Sequence, residues 1–159
     1  MKKFELTSEF VTFLGKKLFR IKALISFGNV KEGELGGFVE KEENLDQSGD
    51  AWVSDNARVS GNARVSDNAW VYGDAWVSGN AWVSGDADYA TVHGFGSEYR
   101  TTTFFRTKAG DIGVRCGCFY GTLDDFRKKV KETHGDSKTA KEYLMVADLM
   151  EFRFSKEEV

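Results

Sequence analysis

Residues 49–84 read GDAWVSDNARVSGNARVSDNAWVYGDAWVSGNAWVS, which is six consecutive hexads. Each hexad holds alanine, a variable residue and valine, with three turn-forming residues completing the period. Because side chains alternate between the two faces of a strand, the alanine and valine point one way and the variable residue points the other. A short strand and a corner repeated at a fixed period predict a solenoid whose coils bury a shared core.

This period and motif resemble the hexapeptide-repeat superfamily, which implies a left-handed parallel β-helix with three hexads, or eighteen residues, in each coil. The eighteen-residue offset stacks Trp52 on Trp70, Arg58 on Trp76 and Arg64 on Trp82. Run backward, it places Val39 on Ala57 and Leu45 on Ala63 in an irregular first coil, and run forward it places Tyr89 at a valine position. We therefore expect the solenoid to span residues 31–96.

The variable outward position is tryptophan in four of the hexads, at Trp52, Trp70, Trp76 and Trp82. Exposed aromatic patches usually mark interfaces, and the resemblance to hexapeptide-repeat proteins implies a trimer with its helices side by side. We expect these tryptophans to stiffen the ladders or to form the interface of a homo-oligomer. The alternative is an aromatic strip that binds a ligand.

Charge and composition narrow the choice of partners. The net charge of −3 conceals a balance of +4 in residues 1–30, −8 in residues 31–96 and +1 in residues 97–159. An acidic middle argues against nucleic acid, whose binding depends on Lys and Arg contacts to phosphates. No apolar run reaches the length of a membrane span, the start lacks the apolar run of a signal peptide, and two cysteines are too few for a disulfide framework. We expect a cytoplasmic protein that binds neither nucleic acid nor membrane.

The segments outside the repeats predict two further units. Residues 1–30 alternate apolar and polar side chains and predict an N-terminal β cap over the open edge of the solenoid. Residues 97–159 predict a small α/β module, with a hairpin around the KAGD turn, a helix that starts at the N-cap Thr122, and a second helix. The fold class is therefore mainly β: a left-handed parallel β-helix with an N-terminal β cap and a small C-terminal α/β module.

Two segments carry a narrower resemblance. GELGGFVEKEENL at residues 33–45 and TTTFFRTKAGDIGVRCGCFYGTLDDF at residues 101–126 resemble hexapeptide-repeat proteins of bacteriophages and prophages. That resemblance covers nearly the whole chain. It implies a phage origin and the cytoplasm of a bacterial host, and it brings no established activity with it.

The junction of the solenoid and the C-terminal module concentrates groups that bind anions. Arginine forks, hydroxyls and a stacking aromatic ring are what a phosphate-bearing nucleotide requires. The alternative is a polar sheet face, since threonine and arginine are common on exposed strands. The candidate ligand-binding residues are Tyr99, Arg100, Thr101, Thr103, Arg106, Arg115 and Tyr120.

Catalytic and metal sites have weaker support in the sequence. Hexapeptide-repeat acyltransferases use a histidine as general base, but His93 falls at an inward position and His134 precedes the glycine that ends a helix. Cys116 and Cys118 lack the usual zinc spacing and a second pair. We expect no catalytic residue, no metal and no cofactor.

These observations favour a non-catalytic phage protein that sequesters a small anionic, nucleotide-type ligand, for example a signal of bacterial antiviral defence. The Arg and Thr cluster and the phage resemblance motivate this hypothesis. Two alternatives stay open. One is an acyltransferase-like enzyme that uses His93, and the other is a structural or protein-binding oligomer that uses the tryptophan faces.

Overall fold

The structure, a computed structural model, describes residues 2–96 and 100–155. Within these residues the protein is mainly β, with a solenoid in the middle and two helices near the C-terminal end. The strands are β1 (Phe4–Phe13), β2 (Lys16–Ala23), β3 (Leu35–Val39), β4 (Trp52–Val53), β5 (Arg58–Val59), β6 (Arg64–Val65), β7 (Trp70–Val71), β8 (Trp76–Val77), β9 (Trp82–Val83), β10 (Tyr89–Phe95), β11 (Arg100–Arg106), β12 (Ile112–Cys116) and β13 (Phe119–Thr122). The helices are α1 (Leu123–His134) and α2 (Lys138–Phe154). Neither of the two is long and apolar enough to cross a membrane.

The hexads stack as their period predicts. Trp52 pairs with Trp70, Arg58 with Trp76 and Arg64 with Trp82, all in parallel ladders. The alanines and valines of the six hexads are at most 1% exposed. Burial of one valine contributes about 1.5–3 kcal/mol relative to leaving it in water, so the shared core holds the coils together.

The corners explain why the hexads begin with either glycine or aspartate. Gly49, Asp55, Gly61, Asp67, Gly73 and Gly79 all have a positive φ, between 54° and 73°. Glycine takes this left-handed conformation without steric cost, and aspartate tolerates it. The next glycine in this register, Gly85, has a φ of −154°, and the parallel ladder ends at β9 just before it.

The first coil is two residues longer than the eighteen-residue offset predicts. Val39 pairs with Val59 and Leu45 with Val65, rather than with Ala57 and Ala63. The Asp46 N–H donates to the carbonyl of Val65, nineteen residues later, whereas the Asp50 N–H donates to that of Asp67, seventeen residues later. The two extra residues therefore lie between Asp46 and Asp50, and the predicted register of this coil was wrong by two.

The N-terminal hairpin continues one face of the solenoid. β1 and β2 are antiparallel around Leu14 and Gly15, which both have a positive φ. β2 is antiparallel to β3, which runs parallel to β5, and the sheet order is β1-β2-β3-β5-β8. The Gln47 side chain, in the longer first coil, accepts a hydrogen bond from the Lys3 N–H at 2.7 Å. The extra length of that coil thus anchors the start of the chain.

The C-terminal module is larger than the predicted hairpin and two helices. β10 to β13 form a four-stranded antiparallel sheet with α1 and α2 packed on one side. The predicted limit of the solenoid at residue 96 included β10, but the chain reverses after a 3-10 turn at Asp86–Asp88 and β10 joins this sheet. Tyr89 still fills the predicted valine position in the solenoid core, where its hydroxyl donates to the Trp70 carbonyl at 2.7 Å.

Two neighbouring phenylalanines of β11 belong to different cores. Phe105 is fully buried in the solenoid core, and Phe104 is fully buried against Phe126 of α1. Strand alternation produces this split, because the two side chains point to opposite faces of the sheet. One face of the C-terminal sheet therefore packs on the solenoid, and the other packs on the helices.

Candidate functional site

The alternation of β11 also divides the predicted anion-binding cluster. Thr103 pairs with Arg115 on β12, and Arg115 pairs with Tyr120 on β13, so these three residues form one row across the sheet. The row lies on the face that packs on the solenoid. Arg100 lies on the other face, where it lines a cavity beside the helices. The structure therefore brings together three of the predicted residues and separates Arg100 from them.

Trp76 is the centre of this arrangement. The Arg115 guanidinium carbon lies 4.0 Å from the centroid of the Trp76 ring, and that of Arg58 lies at 5.5 Å. Phe13 of the N-terminal hairpin contacts the same indole edge to face, with 4.4 Å between ring centroids. The Trp76 backbone N–H donates to the Thr103 hydroxyl at 2.9 Å. All three parts of the fold thus meet at one tryptophan.

A cleft of about 210 Å³ opens at this meeting point, which we call the Trp76–Arg115 cleft. The turn of the N-terminal hairpin forms one wall, two stacked corners of the solenoid form the second, and β12 and β13 form the third. Its polar groups come from Lys16, Ser60, Ser78, Arg115 and Tyr120.

Two buried polar atoms of the cleft lack a partner. Within the described residues, neither the Ser78 Oγ nor the Arg115 Nε makes a hydrogen bond. Ser78 is only 4% exposed, so bulk water compensates it poorly. A buried donor or acceptor without a partner costs about 1–3 kcal/mol. A ligand oxygen that accepted a hydrogen bond from either group would remove the cost at that group.

The electrostatics of the cleft favour a negative ligand. Burial lowers the pKa of the Arg115 guanidinium, because removal from water penalises its charged form. Arg58 and Lys16 add two further cations nearby, and Glu40 is a counterion of Lys16 at 3.7 Å. An anion in the cleft would stabilise the charged form of Arg115.

Tyr120 closes the cleft on the side of β13. Its ring stacks on Phe105 at 6.4 Å and 16°, and 43% of its surface remains exposed. The hydroxyl lies so close to the Gly79 corner that a Cβ at this position would overlap it. Because residue 79 is glycine, the Tyr120 hydroxyl can lie against this corner. The exposed part of the ring is free to contact a ligand.

The other predicted binding residues have different surroundings. Arg106 donates to the Asp88 carboxylate at 3.1 Å and to the Phe154 carbonyl at 3.0 Å, which ties the solenoid end to α2. The Thr101 hydroxyl lies 2.7 Å from His93 Nδ1. Tyr99 falls outside the described residues. Arg106 and Thr101 therefore lie away from the Trp76–Arg115 cleft.

The tryptophans do not form one continuous exposed strip. Trp52 is fully buried and contacts Phe27 at 5.3 Å between ring centroids, so it is unavailable to another subunit and its predicted interface role was wrong. The physical reason is that the chain following β2 returns over the first coil and covers this indole. Trp82 is 49% exposed, with the Lys108 ammonium 5.3 Å from its ring centroid.

A serine partner explains the half-buried tryptophans. The indole N–H groups of Trp70 and Trp76 donate to Ser54 and Ser60, each sixteen residues earlier, at 2.8 Å. The Trp52 ring lies against Gly36, which has no side chain to accept, and the Trp52 Nε1 has no partner among the described residues. These bonds tie the two indoles to the coil beneath.

The cleft contains residues that the sequence did not identify as a site. Ser78 and Lys16 were not predicted, and Trp76 was predicted only as part of an interface. The hexad register could have placed Ser78 at a corner beside Trp76. It could not show that two distant segments would pack over that corner.

The sequence left two other kinds of site to consider, a metal site and a catalytic histidine. In the parts of the chain that the structure describes, residues 2–96 and 100–155, no group of three or more His, Cys, Asp or Glu side chains could hold a metal ion. Cys116 and Cys118 are free thiols. His93 contacts the Thr101 hydroxyl on β11, and His134 lies 6.0 Å from the Tyr143 ring between centroids.

Comparison with known proteins supports the repeat. The model of the YdcK beta solenoid repeat matches four overlapping segments, residues 51–67, 57–73, 63–79 and 69–85. No curated protein matches the chain. The matched segments contain Trp76 and Ser78, whereas Arg115 and Tyr120 lie beyond them. Residues 51–85 are thus similar to a β-solenoid repeat, and the C-terminal wall of the cleft is outside that similarity.

Proposed function

We propose that this protein binds a small anionic ligand in the Trp76–Arg115 cleft and does not transform it. The observation that supports this most directly is the pair of buried atoms without partners, Arg115 Nε and Ser78 Oγ, at one cleft. Both groups can donate a hydrogen bond, and one of them carries a positive charge. An oxyanion matches these two donors.

The size of the cleft limits what enters it. Its volume of about 210 Å³ is below the roughly 300–1,000 Å³ of sites that enclose a drug-sized ligand. A single phosphate or carboxylate group fits, with the rest of the ligand extending past Tyr120. The exposed part of the Tyr120 ring would support a planar base or ring there. A nucleotide with its phosphate innermost satisfies both conditions.

A binding role is favoured over acyl transfer by the residues around the cleft. Acyl transfer requires a general base within hydrogen-bonding distance of the acceptor. Among the lining residues that the structure describes there is no His, Cys, Asp or Glu, and the nearby Glu40 carboxylate accepts from the Gly61 N–H and pairs with Lys16. Arginine, serine and tyrosine are suited to holding an oxyanion at neutral pH.

The finer parts of the proposal come from the sequence resemblance. In this form the protein is a phage protein that sequesters a nucleotide signal of antiviral defence in the host cytoplasm. It would assemble as a trimer of left-handed solenoids, with Trp82 as the most exposed of the four tryptophans at the interface. Sequestration requires tight binding without turnover. The arginine, serine and tyrosine side chains of the cleft are suited to holding a ligand in this way.

Binding can be tested by isothermal titration calorimetry with inorganic phosphate and adenosine 5′-monophosphate. Arg115→Gln should weaken binding roughly 10- to 100-fold, because a charge-assisted hydrogen bond is lost. Ser78→Ala should weaken it roughly threefold to tenfold, because one neutral hydrogen bond is lost. Unchanged affinity in both variants would contradict the proposed site.

Ser66→Ala is the matched control, since Ser66 occupies the same hexad position away from the cleft. It should bind like the unmodified protein. Native mass spectrometry of the same samples would count the bound ligands and subunits together. A monomer that binds ligand would contradict the trimer and leave the binding proposal standing.

A further inference from the structure

A second cavity lies on the opposite side of the C-terminal sheet, between the sheet and the two helices. We call it the helix-side cavity, and its volume is about 230 Å³. Its principal lining groups are the rings of Phe119, Phe126 and Tyr143 and the polar side chains of Arg100, Lys129 and His134. Among the described residues, it shares none of its lining with the Trp76–Arg115 cleft.

The floor of the helix-side cavity is aromatic. The Phe126 and Tyr143 rings meet edge to face, with 5.6 Å between centroids, and Phe119 lies 5.9 Å from Phe126 at 54°. These tilted rings line the cavity. Such a surface suits a flat or aliphatic organic group, which gains free energy by leaving water.

The rim of the cavity is cationic. Arg100 and Lys129 are positively charged, and His134 lies beside Tyr143 at 6.0 Å between ring centroids. Among the lining residues that the structure describes, none is acidic. A Cβ at Gly117 would overlap the Arg100 guanidinium, so this turn glycine permits the arginine to lie against the backbone.

One phenol hydroxyl lies between the floor and the rim. Burial raises the pKa of the Tyr143 hydroxyl to about 12, and the hydroxyl interacts with the Cys116 and Thr102 side chains. Tyr143 is 6% exposed, and its hydroxyl approaches Gly96 too closely for any Cβ there. The cavity therefore combines an apolar floor, a buried phenol and a cationic rim.

We infer that the helix-side cavity is a second binding site, which takes a small organic anion with an apolar or aromatic body. The body lies on Phe126 and Tyr143, and the acidic group faces Arg100 and Lys129. This site is independent of the Trp76–Arg115 cleft, because a different face of the sheet forms it. The ligand class also differs from that of the cleft, because contact between the apolar floor and the body of the ligand contributes to the affinity.

Three probes separate the two contributions: phenyl phosphate, inorganic phosphate and benzyl alcohol. Each is titrated into the full-length protein labelled with nitrogen-15, and the amide signals of α1, which contributes no lining residue to the Trp76–Arg115 cleft, are followed by NMR. Phenyl phosphate should shift the signals of Phe126, Lys129 and Val130 with a Kd of about 1 mM or tighter. The other two probes should bind there at least about fivefold more weakly.

Two adjacent lysines of α1 provide a matched pair of variants. Lys129 lines the cavity and Lys128 does not, although both are exposed residues of the same helix. Lys129→Gln should weaken phenyl phosphate about two- to fivefold, because an exposed charge contributes modestly. Lys128→Gln and Arg115→Gln should leave this binding unchanged.

Four results would overturn the inference. The first is no shift of these signals up to about 10 mM phenyl phosphate. The second is equal binding of inorganic phosphate, which would show that the aromatic floor contributes nothing. The third is an equal effect of Lys128→Gln and Lys129→Gln, which would indicate general attraction to a basic surface. Shifts confined to the Trp76–Arg115 cleft would overturn it too, while supporting the proposed function.

Discussion

Two kinds of residue carry the solenoid: the inward alanine and valine of each hexad, and the corner residue with a positive φ. The corner residue also shapes the candidate site. Gly79 is one of these corners, and the Tyr120 hydroxyl occupies the space that a side chain would need. Gly73 has the same conformation, with φ of 69°, and a Cβ at this corner would meet no atom within 4 Å. The two glycines therefore share one backbone conformation and differ in the atoms that surround them.

Substitution of asparagine at these two corners distinguishes the free-energy cost of backbone strain from the cost of steric overlap with Tyr120. Aspartate already occupies the equivalent corners at Asp55 and Asp67, so Gly73→Asn should cost less than about 1 kcal/mol of unfolding free energy. Gly79→Asn should cost about 1–3 kcal/mol more, because Tyr120 must move. Urea unfolding of both variants measures the difference. Equal costs would mean that Tyr120 does not rest against this corner.

Contacts within the hexad repeats could be predicted from the sequence, whereas contacts between distant segments of the chain could not. The period alone predicted that Arg58 stacks on Trp76. It could not predict that Trp52 is buried, because the covering segment with Phe27 lies outside the repeats. The Arg and Thr cluster was predicted as one site, but alternation along β11 and β12 sends Arg100 and Arg115 to opposite faces.

At the scale of elements, the solenoid ends at a repeat position that no longer holds valine. Tyr89 replaces the valine of its position, and its hydroxyl donates to the Trp70 carbonyl of the coil before. The strand that begins with it then joins the antiparallel sheet. The eighteen-residue offset predicted the position of Tyr89 correctly. The change in strand direction depends on pairing with β11, which no local pattern reveals.

The end of the solenoid should respond to alkaline pH. Burial raises the pKa of Tyr89, so the folded state keeps this phenol protonated after the unfolded chain has begun to ionise near pH 10. A raised pKa gives stability that is present below pH 10 and is lost as pH rises through the folded value. The contribution of Tyr89 to the unfolding free energy should therefore shrink above about pH 10.

Tyr89→Phe tests this difference directly. At pH 8 the variant should be less stable by about 0.5–1.5 kcal/mol, because the hydrogen bond to Trp70 is lost. Between pH 10 and pH 11 the gap between the two proteins should narrow, and comparing them cancels the tyrosines they share. A gap that is constant or widens with pH would contradict the account.

At the scale of the whole molecule, β11 joins two cores. Phe105 belongs to the solenoid core and Phe104, its neighbour, to the helix core. The four tryptophans all lie in the solenoid, and both helices lie in the C-terminal module. Tryptophan fluorescence and the helical circular dichroism signal therefore report on different parts of one chain.

This connection predicts a single unfolding transition. The two signals should be lost at the same urea concentration, because the cores share a strand. Phe105→Ala should lower the unfolding free energy by about 3–5 kcal/mol and move both signals together. Loss of the helical signal well before the tryptophan signal would show that the module and the solenoid unfold independently.

The NMR signal of the Arg115 Nε–H group tests the binding proposal most directly, since this donor has no hydrogen-bond partner within the described residues. The signal can be assigned by its absence in Arg115→Lys. We predict that inorganic phosphate shifts it downfield in a saturable manner, as the N–H donates to a phosphate oxygen, and that the shift is lost in high salt. A signal that stays in place up to about 10 mM phosphate would contradict an anion site at Arg115.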